Sequence, residues 1–168
     1  MGNLPLHPMM VHLPLVLAVL LPIVVATILR FEWRGRSTSP AWWIATLVAA
    51  VLTAGAFVSV KTGENEEERV EEVVAESAIE RHKERAELFL WATLAPLVIL
   101  MGTSLMRQLS WRRYAGFSAL LATLLVAGLA ILVGESGGSL VYHHDAGSAY
   151  GQTDSRTTEV RHDNDDDD

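Results

Sequence analysis

Six histidines and no cysteine stand in this chain of 168 residues, so imidazole is its main side chain for holding a metal or moving a proton near neutral pH. Thiolate sites, disulfides and CxxCH haem attachment are excluded. His7 and His12 enter the first apolar run, His82 shortly precedes the third, and His143, His144 and His162 follow the fourth. Two imidazoles on facing helices can hold a haem iron axially. His12 and His82 are the candidate pair, His7 is a substitute or supporting partner, and Arg81 and Arg85 would suit the propionates. His82 lies six residues before Leu88, about 9 Å above that apolar edge on a straight helix. A tilt, or the use of His7, would remove the offset. Copper or zinc handling is a second chemistry, with Met9 and Met10 beside His7 and His12, and with His143 as a further ligand. Alternatively, His12 satisfies backbone groups between Pro8 and Pro14 while His82 makes an interhelical hydrogen bond.

The elements that must position these histidines follow from charge placement. The chain carries 13 Lys and Arg against 20 Asp and Glu, a net charge of −7, yet half of it is apolar and its mean hydropathy is positive. Residues 1–29, 37–60, 88–106 and 114–134 contain no charged residue. Each run is long enough to cross about 30 Å of hydrocarbon as a helix, and spans are expected at 9–31, 41–60, 88–106 and 114–133. Met1 to Val11 has no basic residue, so a cleaved signal peptide is not expected.

The connections separate by sign. Arg30, Arg34 and Arg36, with Glu32, fill the first, and Arg107, Arg112 and Arg113 the third. The positive-inside rule puts both on the cytoplasmic side. The acidic connection 61–87 and the tail from Glu135 then lie outside with the N-terminus. Trp33, Trp42, Trp43, Trp91, Trp111 and Tyr114 fall near span ends, where amphipathic rings favour the interface. Pro22 and Pro96 are expected to kink the first and third spans.

Residues 64–87 hold no Gly or Pro and many Glu, Val, Ala and Arg, so they read as one helix running into the third span and starting near Thr62 or Asn65. On it Val70, Val74, Ala78 and His82 share a stripe, and the glutamates form a solvated face. Gly134, Gly137 and Gly138 are expected to loosen the backbone after the fourth span, with Leu140, Val141 and Tyr142 as an apolar patch. The fold class is therefore an all-α integral membrane four-helix bundle, N-out and C-out, with a helical outer extension before the third span. Residues 1–147 form the membrane domain, and 148–168 a disordered acidic tail.

The segment Leu6-His7-Pro8-Met9-Met10-Val11-His12-Leu13-Pro14 resembles the HPxxVHxP signature of the prokaryotic domain of unknown function 2231 family. Lys61-Thr62-Gly63 resembles that family's Thr-Gly exit, residues 76–82 its acidic stretch leading to a histidine, and Gly137 to Tyr142 its closing motif. The likeness covers roughly residues 4–147. It implies a four-span membrane domain with a link to haem or electron transfer, and its histidines carry over to His7, His12 and His82. His143-His144-Asp145 departs from the family's ending.

No GxSxG, GxGxxG, P-loop or HExxH motif is present, so no recognisable enzyme site is read. The acidic balance excludes nucleic acid as a partner, and the lack of mid-span ionisable residues disfavours a channel or transporter. The expectation is a multi-pass protein of a prokaryotic cytoplasmic membrane, in contact with the lipid bilayer. Its histidine cluster would bind b-type haem and exchange electrons with a cytochrome c-like or other redox protein at the outer face. Non-catalytic anchoring or assembly is the alternative.

Overall fold

The computed structural model describes residues 9–71 and 74–142. They form four long helices: α1 (His12–Trp33), α2 (Ser39–Glu71), α3 (Glu76–Leu105) and α4 (Leu109–Tyr142). No strand occurs among the described residues. All four are long and apolar enough to cross a membrane. Short connections make successive helices antiparallel, and α1 packs on α2, α2 on α3, α3 on α4, and α4 back on α1. The ring closes on itself, with α1 and α3 at opposite corners.

Each helix buries a stripe spaced alternately by three and four residues: Ala18, Leu21, Val25 and Ile28 on α1, and Trp42, Ala45, Ala49, Leu52 and Ala56 on α2. On α3 the stripe is Phe89, Thr93, Pro96, Leu100 and Thr103, and on α4 it is Arg112, Gly116, Ala119, Thr123, Val126 and Ala130. That seven-residue repeat keeps one seam facing the neighbours along the full span. Small side chains along it let the backbones approach, as membrane helices need when water does not drive them together. Thr46 adds a 2.9 Å hydroxyl contact to Ser104 between α2 and α3. The outward faces are large and apolar, including Leu47, Val98, Leu125 and Ile131, a surface that lipid solvates and water does not.

Three details differ from the sequence reading. Residues 64–87 are not one helix: α2 runs past Thr62, Gly63 and Asn65 to Glu71, and α3 begins anew at Glu76 after Ala75 in an extended conformation. Beside the break, Val74 and Ile79 are buried, with Ala78 and Leu140 packed against them. Gly134, Gly137 and Gly138 do not loosen α4, which continues to Tyr142; of the three, Gly137 lies against the His82 ring of α3. Trp42 is not an interface residue but is fully buried, whereas Trp33, Trp43, Trp91, Trp111 and Tyr114 are exposed. Pro22 and Pro96 both lie inside continuous helices.

At Gly116, α4 lies close against both α1 and α2. A Cβ there would stand 2.7 Å from the buried ring of Trp42 and 2.8 Å from Leu29, whereas Gly128 has open space. Gly116→Ala should therefore lower stability in thermal unfolding of the detergent-purified protein by about 1–3 kcal/mol, while Gly128→Ala leaves it unchanged or slightly raised.

Candidate functional site

The α2–α3 hairpin marks one end of the bundle, and the α1–α2 and α3–α4 connections mark the other. At the hairpin end, α3 presents His82 to α4. Its Nδ1 lies 2.9 Å from the Ser136 hydroxyl. Gly137 makes the approach feasible, since a Cβ there would lie 3.2 Å from His82 Cε1.

The Ser136 hydroxyl has one proton and two acceptors within reach, His82 Nδ1 and the Val133 carbonyl 2.9 Å away. Donated to the carbonyl, it leaves Oγ to accept from Nδ1–H, and the neutral ring then carries its lone pair on Nε2. This is the tautomer of a histidine that ligates through Nε2 while its other nitrogen is held by a hydrogen bond. Arg85 follows on the same helix, with Nη1 3.4 Å from the Leu132 carbonyl, whereas Arg81 is exposed.

His12 lies at the same end, in the first turn of α1, and is exposed. The pairing of Glu32 with Arg112 sets the register between α1 and α4. Twenty residues back along α1 is His12, and twenty forward along α4 is Leu132, the level of Arg85. Four residues separate Leu132 from Ser136, so His12 stands about 6 Å along the bundle axis from the level of His82. The two histidines share an end and occupy opposite corners. Met9 and Met10 are exposed beside His12. His7, His143, His144 and His162 lie outside the described residues, as does the acidic tail. Among the described residues no group of three His, Asp or Glu is disposed around a common metal position.

The opposite end holds a polar cluster that the sequence reading did not single out. Glu32 is 1% exposed. Its carboxylate accepts from Thr38 Oγ1 at 2.5 Å, from Trp42 Nε1 at 2.7 Å and from Arg112 Nε at 3.2 Å. Arg112 also donates through Nη1 to Ser39 Oγ at 3.0 Å. The Glu32 carbonyl accepts from Arg113 Nη2 at 3.2 Å and from the Gly35 amide at 3.1 Å. The Gly35 amide bond and the Arg36 amide bond to the Phe31 carbonyl at 3.1 Å close the end of α1, and Gly35 has φ +75°, the left-handed cap that glycine adopts without strain. The signal was the stripe itself: Glu32 continues the buried face of α1, and Arg112 opens that of α4.

Ser136→Ala would remove the acceptor that fixes the His82 tautomer. In ¹⁵N-histidine spectra of the protein in micelles, neutral His82 should be protonated at Nδ1. Ser136→Ala should shift it toward the Nε2-protonated form while the His12 signals stay in place. A wild-type His82 protonated at Nε2 would refute the assignment.

A family model described as "Predicted membrane protein (DUF2231)" matches residues 3–150, a region that contains all four helices and both His12 and His82. No curated protein and no solved structure matches the chain. The chain belongs to the DUF2231 family of multi-pass membrane proteins.

Proposed function

We propose that this protein is a non-catalytic membrane subunit whose working end is the hairpin end, with His82 as the residue that holds a cofactor there. One observation carries the reading: His82 Nδ1 is held 2.9 Å from the Ser136 hydroxyl, which, with its own proton on the Val133 carbonyl, would keep the ring's lone pair on Nε2.

b-type haem is the first candidate cofactor. His82 would hold the iron through Nε2, and His12, from the neighbouring level of the opposite corner, would be its second ligand, with His7 as substitute or supporting partner. Arg85, and Arg81 one turn from it, carry guanidinium groups suited to propionates. When bound, haem supplies a one-electron couple, and a cytochrome c-like partner at the outer face would give or take that electron. The apolar bundle below keeps water from the site's inner side. On this reading the arginine-rich connections face the cytoplasm of a prokaryote and the hairpin faces out, as the positive-inside rule implies.

The exposure of His12 favours a second reading, in which the hairpin end recruits a partner without a cofactor. Glu76, Glu80, Glu84 and Glu87 are exposed on α3 and would form the recruiting face. Copper or zinc handling through His12, Met9, Met10, His7 and His143 is the third.

Visible spectra of the protein, purified in mild detergent after expression with abundant haem, distinguish these readings. Haem binding predicts a sharp reduced α-band that His82→Ala and His12→Ala each abolish while the far-ultraviolet helical signal persists. A featureless spectrum with stoichiometric copper or zinc would transfer the site to metal handling. A featureless spectrum without metal would leave the recruiting role.

A further inference from the structure

At the end opposite the hairpin, Glu32 is the sole carboxylate in the sequence between residues 1 and 63 or between 88 and 134. It is buried and bonded to Arg112. The other arginines of that rim thus have no acidic side chain of the span or its two connections to neutralise them: Arg30, Arg34, Arg36 and Arg107 are exposed, and Arg113 is half-buried. Five cationic groups ring the place where the spans end.

Arg113 is held in place before any ligand arrives. Its Nη2 donates to the Glu32 carbonyl, and its guanidinium lies 5.7 Å above the centroid of the Trp33 ring. Trp33 meets Phe117 of α4 edge to face at 5.9 Å. The Nε of Arg113 is buried and unpartnered among the described residues. On the other side Arg36 lies 5.2 Å above the Phe31 ring. Exposed indole beside guanidinium at the end of an apolar span is the chemistry of the headgroup layer. A fixed guanidinium there matches a phosphate oxygen pair.

We propose that this rim binds the phosphodiester of an anionic phospholipid, with Arg113 on its Trp33 platform as the fixed contact and Arg34, Arg36 and Arg107 supplying the surrounding field. A lipid is the fitting source because the platform continues to Phe117, an exposed ring on the apolar outer face of α4, where an acyl chain would run alongside. The inference is independent of the reading at His82.

The test uses the full chain in a neutral detergent, titrated with phosphatidylglycerol, with phosphatidylcholine or with inorganic phosphate, and reads retained lipid by native mass spectrometry and the thermal unfolding midpoint. Phosphatidylglycerol should be retained and raise the midpoint, and phosphatidylcholine should do neither. Each exposed arginine near a lipid surface contributes about fivefold in affinity. The triple variant Arg34→Gln/Arg36→Gln/Arg107→Gln should therefore weaken phosphatidylglycerol binding on the order of a hundredfold, with an unchanged midpoint in lipid-free detergent because none of the three is in the Glu32 cluster. Arg113→Gln should weaken retention further, at added cost to the fold. Equal retention of both lipids, or undiminished phosphatidylglycerol binding in the triple variant, would overturn the proposal. An equal midpoint rise with inorganic phosphate alone would overturn the lipid as its source.

Discussion

A carboxylate cannot be buried at the end of an apolar bundle unless the rest of the fold brings donors to it, and Glu32 is buried. The desolvation cost of an unpaired charge in such a place is several kcal/mol. Its donors come from the connection after α1, from the first turns of α2 and from the start of α4. Satisfying one side chain thus fixes three segments at once. The same contacts bury Trp42, whose ring is what Gly116 makes room for, so the polar cluster and the tight packing at Gly116 form one unit. From that fixed end the helix register follows, and register carries His12 and His82 to neighbouring levels about 20 residues away along each helix.

The two ends solve different problems. The Glu32 end is locked by charge and by the glycine cap of α1, with cationic groups turned outward. The hairpin end is built from smaller contacts: a serine, a glycine gap, and a separate apolar cluster of Val74, Ile79, Ala78 and Leu140. Between them the bundle is apolar except for threonine and serine hydroxyls, most of which return their proton to their own helix's carbonyls, as Thr46, Thr103 and Thr123 do. Such hydroxyls are satisfied locally and leave close packing to hold the centre. Chemistry therefore belongs at the ends.

Much of this was legible in the sequence, because four charge-free runs of span length leave little choice of fold. The spans at 9–31, 41–60, 88–106 and 114–133 lie within or closely overlap α1 to α4. The hairpin was not legible: residues 64–87 hold neither Gly nor Pro and so read as one helix, whereas a new helix starts at Glu76 after an extended Ala75. Val74 is buried there with Leu140 of α4 packed nearby, a long-range contact that no local propensity reports. Glu32 was passed over because, beside Arg30, Arg34 and Arg36, it reads as one more loop charge. Its partner is 80 residues away, and only the phase of the buried stripe points to both. The facing of His82 toward α3's neighbour was legible from its place on an apolar stripe, but the serine and glycine that orient it lie in a segment that reads as loose chain.

The central claim is that Glu32 and Arg112 act as a pair on which the closed end of the bundle depends. A double-mutant cycle on unfolding free energy in mild detergent tests it most directly, comparing Arg112→Leu, Glu32→Gln and the two together. Removing the arginine alone strands a buried carboxylate and should cost about 3–5 kcal/mol. The double variant, which has no charge left to strand, should be more stable than Arg112→Leu by itself. Losses that simply add, with the double variant the least stable of the three, would contradict the account.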